Sequence, residues 1–321
     1  MADKLSHTVR RLGGLCLVAL LVAGCRRVSV FTPVGPVAEA ERLILLDSLA
    51  IMLAIGIPTI LATLGVAFWF RASNRRARRD LDFVYSGRVE LVVWSIPALT
   101  ILFLGGIAWI GAHDLDPATP LKSKVAPVDV QVVSLDWKWL FIYPDQGIAT
   151  INRLVAPVGA PLRLHLTSAS VMNVLFAPEM GTQIYTMNGM DGLMWWQVDQ
   201  PGVFPGRSNM FSGDGFPGMA FEIDAVTPAQ FTAWAAATRG KGRALDIAAY
   251  RGLLAQSSNV KPYAYGSVAP RLYNAIVLQQ LPPGEGPQAA ASPAGGKSAS
   301  ETLARANAAE SVRGGRPSGS D

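Results

Sequence analysis

The chain has 321 residues, a net charge of +5 and a half-hydrophobic composition with two cysteines and three histidines. So few thiol and imidazole groups exclude a disulfide-stapled scaffold and a framework of Cys and His metal ligands. The densest groups of basic residues lie at the N-terminus and in one short loop between apolar runs, a placement that fits membrane topology and argues against a nucleic-acid binder.

Residues 1–24 read as a bacterial export signal, with Lys4, Arg10 and Arg11 ahead of an apolar run over 12–23. Val22-Ala23-Gly24-Cys25 resembles a lipobox, which predicts cleavage before Cys25 and lipid modification of that residue. Each buried methylene would then add roughly 0.8 kcal/mol of membrane affinity. An ordinary cleaved signal with an incidental cysteine is the alternative. Residues 25–48 read as a linker outside the membrane. Residues 49–70 and 91–111 carry no charge, and each run reaches the ~20 residues that cross a bilayer, so 49–111 is predicted to be a two-helix transmembrane hairpin. Pro58 and Pro97 lie inside these runs, where neighbouring helices can satisfy the carbonyls they free. The loop between them sets Arg71, Arg75, Arg76, Arg78, Arg79 and Arg88 against Asp80 and Asp82. That excess makes the loop cytoplasmic and both flanks periplasmic.

Beyond His113 the pattern changes to short alternating runs separated by Pro and Gly, which predicts a β-sandwich over 125–226. Leu162, Leu164 and Leu166 alternate with Arg163, His165 and Thr167, and Met219, Phe221 and Ile223 alternate with Ala220, Glu222 and Asp224. Val128, Val130 and Val132 keep one phase while Val133, Leu135, Trp137 and Trp139 keep the other, which predicts a β-bulge near Val132 and Val133. Thr227-Pro228 reads as an N-cap followed by proline at the first helical position. It opens a helical arm over 227–281, with a second helix near 246–254. Residues 282–321 are rich in Ala, Gly, Ser and Pro and are expected to be disordered.

The segment Ser208-Asn209-Met210-Phe211-Ser212-Gly213-Asp214-Gly215-Phe216-Pro217-Gly218-Met219 has the spacing of the copper loop of haem-copper oxidase subunit II, Cys-x-Glu-x-Cys-x-x-x-His-x-x-Met. Ser208 and Ser212 stand at the two cysteine positions, Met210 at the glutamate and Phe216 at the histidine. Asn173, in Ser170-Val171-Met172-Asn173, stands at the histidine of an earlier strand. Met219 alone is retained. A copper pair needs bridging thiolates and imidazoles, so no metal site is expected in this chain. Together with Val89-Glu90-Leu91-Val92-Val93-Trp94, Asp136-Trp137-Lys138-Trp139, Phe141-Ile142-Tyr143-Pro144, Gln146-Gly147-Ile148-Ala149-Thr150 and Asn259-Val260-Lys261-Pro262, the chain up to about residue 281 resembles subunit II of the bo-type ubiquinol oxidases.

The resemblance implies a membrane α hairpin of two transmembrane helices plus an all-β cupredoxin-like Greek-key sandwich and a short helical C-terminal arm. It also implies a bacterial inner-membrane complex that oxidises ubiquinol, reduces oxygen to water and moves protons outward. Haems and copper would lie in the partner subunit I, smaller membrane subunits would complete the assembly, and this chain would bind no cofactor. Glu90 would be a proton-uptake carboxylate, since the family places a Glu at the cytoplasmic mouth of the second helix. A helix-end carboxylate favoured by the dipole alone is the competing reading. Trp137 and Met219 read as packing residues and His165 as a solvated strand residue. Trp195 and Trp196 face opposite ways on a strand, so one of them is expected to meet a partner subunit or the membrane surface. Two rival readings stay open from the residues: a cytochrome c oxidase subunit with unfamiliar copper ligands, and a free-standing membrane lipoprotein with a cupredoxin-like binding domain.

Overall fold

The computed structural model describes residues 29–78 and 82–286. The export signal, Cys25, Arg79 and Asp80 of the basic loop, and residues 287–321 of the tail lie outside the described residues.

Two long helices come first, α1 (Pro36–Trp69) and α2 (Gly87–Asp114). Each holds a stretch long and apolar enough to cross a membrane, none of it buried within the chain. Such all-round hydrophobicity suits a helix solvated by lipid or by other subunits. α1 opens inside the region 25–48 read as a linker. Pro36 stands at the first helical position, Ala38, Glu39, Ala40 and Glu41 favour helix, and Arg42 pairs with Glu39 one turn back. The extension is also anchored. Val34, Val37 and Ala38 are buried, and Val34 exchanges backbone hydrogen bonds with Glu179 O at 3.1 Å and Asp199 N at 2.7 Å.

The rest is a two-sheet β-sandwich with its arm. The strands are β1 (Val128–Leu135), β2 (Lys138–Tyr143), β3 (Ile148–Ile151), β4 (Arg153–Pro157), β5 (Pro161–Ser168), β6 (Asn173–Phe176), β7 (Ile184–Thr186), β8 (Gly192–Gln197), β9 (Gly202–Ser208), β10 (Ala220–Val226), β11 (Arg243–Leu245) and β12 (Tyr263–Val268). One sheet runs β11-β12-β3-β2-β1-β5-β8 and the other β4-β10-β9-β6-β7. Leu162, Leu164 and Leu166 face Met219, Phe221 and Ile223 across the core between them.

The phase change in β1 is not a bulge. β1 keeps unbroken register with antiparallel β2, from Gln131↔Ile142 to Leu135↔Lys138, and with parallel β5, from Val128↔Leu162 to Ser134↔Ser168. Val130 and Val132 enter the core between the sheets. Val133 and Leu135 enter a second core with Leu140, Ile142, Leu245, Tyr250, Leu272 and Ile276. A strand buried on both faces has no polar phase to show. The arm makes the second core. Thr227 and Gln230 form a reciprocal capping box at the start of α3 (Pro228–Thr238), and Asp246 caps α4 (Ile247–Leu253). β12 pairs antiparallel with β3, β11 pairs parallel with β12, and α5 (Leu272–Val277) follows. The arm therefore adds two strands to the sheet beyond its helices.

The same double burial corrects the expectation for the tryptophan pair. Trp196 is fully enclosed in the core between the sheets, and Trp195, on the opposite face, is only 8% exposed. The segment leaving α2 covers it, and Trp195 N–H donates to Pro117 O at 3.0 Å.

Candidate functional site

The positions that carry copper ligands in the resembling pattern come together at one end of the sandwich. Asn173 opens β6 and Ser208 closes β9, the two strands being hydrogen-bonded neighbours. Ser208 Oγ donates to Asn173 Oδ1 at 3.1 Å, and Ser208 N–H donates to Met219 O at 3.1 Å. Met210 N–H lies 3.4 Å from the same hydroxyl, and Met219 N–H donates to Phe216 O at 3.0 Å. Met219 itself is 1% exposed in the core between the sheets, as a packing residue should be.

Trp137 seals this end. Its backbone has φ of 66°, a left-handed conformation at the turn between β1 and β2. Its indole Nε1 donates to Ser212 O at 2.9 Å. A Cβ added at Gly215 would lie 2.1 Å from the ring, so only glycine lets the loop close over it. Phe211 and Phe216 meet edge to face with centroids 5.8 Å apart. The ligand positions therefore hold hydroxyl, carboxamide, thioether and phenyl groups; the Ser208 hydroxyl bonds to Asn173, and the Ser212 hydroxyl is buried with no hydrogen-bond partner among the described residues. No thiolate or imidazole is present to hold a copper pair, so the donor set does not fit that group. Among the described residues no group of three or more His, Cys, Asp or Glu side chains could share a metal ion.

Glu90 lies far from this cluster in sequence, in the first turn of α2. The indole of Trp94, one turn on, donates Nε1–H to Glu90 Oε2 at 2.9 Å. This pair sits at the positive end of the helix dipole, where a carboxylate is favoured. The i,i+4 spacing is legible in the sequence, and the indole donor went unread.

Two further polar groups were missed. Lys138, in the otherwise aromatic and aliphatic β2, is 2% exposed, and its Nζ donates to Ala255 O and Ser257 Oγ, both at 2.7 Å. Burial pulls its pKa down to about 8, against a smaller opposing pull from Asp136. Asn152 accepts Trp139 N–H at 2.7 Å and donates to Val260 O at 2.8 Å. Both side chains fasten the arm to the sandwich. His165 is less free than expected. Its Nδ1 is 3.2 Å from Asp191, which also accepts the Tyr273 hydroxyl of α5 at 2.7 Å. Burial, with Asp191 second, pushes the Tyr273 phenol up.

A family model described as the COX Aromatic Rich Motif matches residues 239–284. The cytochrome bo(3) ubiquinol oxidase subunit 2 of Pseudomonas aeruginosa is 43% identical over 81% of this chain and 78% of its own length. The chain belongs to the ubiquinol oxidase subunit 2 family. The ubiquinol oxidase subunit 2 of Acetobacter aceti is 42% identical over 87% of this chain and 91% of that protein. In fold, the periplasmic domain of cytochrome oxidase subunit II (CoxB) of Bradyrhizobium japonicum aligns over 37% of this chain and 96% of that one, at 21% identity and a TM-score of 0.35. As a ubiquinol oxidase subunit 2, the chain is one subunit of a multi-subunit oxidoreductase complex and a membrane protein, and its matched motif spans β11, α4, β12 and α5.

Proposed function

We propose that this chain is the scaffold subunit of a terminal oxidase that takes electrons from ubiquinol within the bilayer, reduces oxygen to water and moves protons outward. Haems and the oxygen-site copper reside in the partner subunit I, beside smaller membrane subunits. The sandwich stands on the periplasmic side of a bacterial inner membrane, with Cys25 lipid-anchored. Each quinol releases an electron pair and two protons, and two quinols reduce one dioxygen to two waters. A lipid-soluble reductant needs no water-facing metal relay. The observation that carries this reading is the hydrogen-bonded Asn173 and Ser208 pair, with Ser212 and Phe216, where a relay would need sulfur and imidazole.

The test is the purified native complex, assayed with ubiquinol and with reduced cytochrome c. Turnover with quinol alone supports the reading. Turnover with cytochrome c, together with the near-infrared band of a mixed-valence copper pair in this chain, would replace it with a copper-bearing oxidase subunit. Recovery of the chain free of haem-bearing partners would favour a free-standing lipoprotein.

Glu90 is proposed as the proton-uptake carboxylate at the cytoplasmic mouth of α2, where a membrane carboxylate can exchange protons with a hydrated path. Glu90→Gln slows oxygen reduction in a complex that still assembles. Unchanged turnover across a range of pH removes Glu90 from the scheme.

A further inference from the structure

At the pole of the hairpin away from the sandwich, where α1 ends and α2 begins, the uncommitted charge is of one sign. Arg75, Arg76 and Arg78 follow the last turn of α1, and Arg88 lies in the first turn of α2. All four side chains are exposed, and none has an ion-pair or side-chain hydrogen-bond partner among the described residues. The carboxylates of the same pole are engaged. Glu90 accepts the Trp94 indole at 2.9 Å, and Asp82 has interactions of its own.

The basic turn is folded back on the helix that precedes it. The last carbonyls of a helix lack intrahelical partners, and here Asn74 Nδ2 donates to Trp69 O at 2.7 Å while Arg76 N–H donates to Asn74 Oδ1 at 3.1 Å. One carboxamide thus holds Arg75 and Arg76 at the end of the apolar span. Trp69 beside them, and Phe83, Val84 and Tyr85 on the way into α2, are exposed. Three large apolar side chains in succession suit a membrane interface, where aromatic rings are enriched, better than water.

We propose that this pole binds the headgroup of an anionic phospholipid. Clusters of Arg directly beyond a membrane helix attract anionic lipid, and the guanidinium fork matches phosphate oxygens in charge-assisted pairs. Arg88 stands at the positive end of the α2 dipole, where it adds to the attraction for an anion instead of offsetting it. No uncommitted carboxylate among the described residues of this pole is left to take a headgroup ammonium, which favours a net negative lipid over a zwitterionic one.

The test uses the full chain in its purified complex, stripped of lipid in detergent and offered phosphatidylglycerol or phosphatidylcholine vesicles, with retained lipid counted by native mass spectrometry. Joint Arg75→Gln and Arg76→Gln is expected to weaken phosphatidylglycerol retention about tenfold and to leave phosphatidylcholine unchanged. Arg88→Gln is expected to weaken the same lipid about threefold, which keeps the test open should the joint variant fail to insert. Equal retention of both lipids by the parent overturns the proposal, as does equal retention by parent and variants. So does displacement by inorganic phosphate where sodium chloride of the same ionic strength displaces nothing, or protection of Arg75 and Arg76 from phenylglyoxal by another subunit in the stripped complex. The count needs no turnover and requires only that the two helices cross a bilayer, so it is independent of which reductant the complex uses.

Discussion

Lys138 is the residue whose environment most departs from its type. Its folded pKa of about 8 lies below the ordinary 10.5. Between those values the unfolded chain keeps a proton that the folded chain has released, so this group makes stability rise with pH across that window. Below about 8 both states are charged and the burial penalty is felt in full. Lys138→Met should flatten that rise, read as the difference in thermal unfolding between the two ends of the window in variant and parent. Trp94 offers a second prediction. Trp94→Phe removes the donor to Glu90 while keeping the ring. If Glu90 takes up protons, the variant should lower turnover less than Glu90→Gln, and the double variant should match Glu90→Gln alone, as coupled residues do. Additive losses in the measured rates would place Trp94 outside that role. At this scale the pairing of Asn173 with Ser208 was suggested by the spacing of the loop, because the residue types stand in the sequence itself. The burial of Lys138 was not, since its partners Ala255 and Ser257 are remote in sequence and carry no complementary charge.

Among the elements, the arm decides what the central sheet is. Val133, Leu135, Leu140 and Ile142 would form an exposed apolar face on a free sandwich, and Leu245, Tyr250, Leu272 and Ile276 cover it. Leu245→Ala, at a site with no exposure, should cost about 2–5 kcal/mol by opening a cavity. Denaturant unfolding of the full chain measures it; a loss under about 1 kcal/mol would mean that β11 is peripheral to the fold. The alternating strands around Leu162 and Phe221 and the capped helix at Thr227 were readable, because each pattern is local. The supposed bulge in β1 and the supposed exposed tryptophan at 195 or 196 failed for a common reason. Alternation reports one buried face, and a second covering layer supplied from remote parts of the chain erases the polar phase that the rule depends on.

At the scale of the whole molecule, the membrane hairpin and the sandwich are joined at fixed points. Val34 bonds to both Glu179 and Asp199, Pro117 bonds to Trp195, and Gly35 sits so close to β8 that a Cβ would lie 2.0 Å from Gln197 O. That neighbour is backbone and cannot swing aside. Gly35→Ala should therefore release the start of α1 from the sandwich without disturbing the apolar spans, seen as new protease cutting near residues 29–36 in an otherwise membrane-bound chain. Unchanged resistance would show that the junction tolerates a shift.

The order of the strands also sets a timetable for synthesis. β3 lies beside β12, and the second face of β1 and β2 stays bare until residues as late as Ile276 have emerged. A ribosome that stops short leaves a sticky half-built sheet already tethered by its helices, and proteases that patrol nascent chains gain their substrate at that moment.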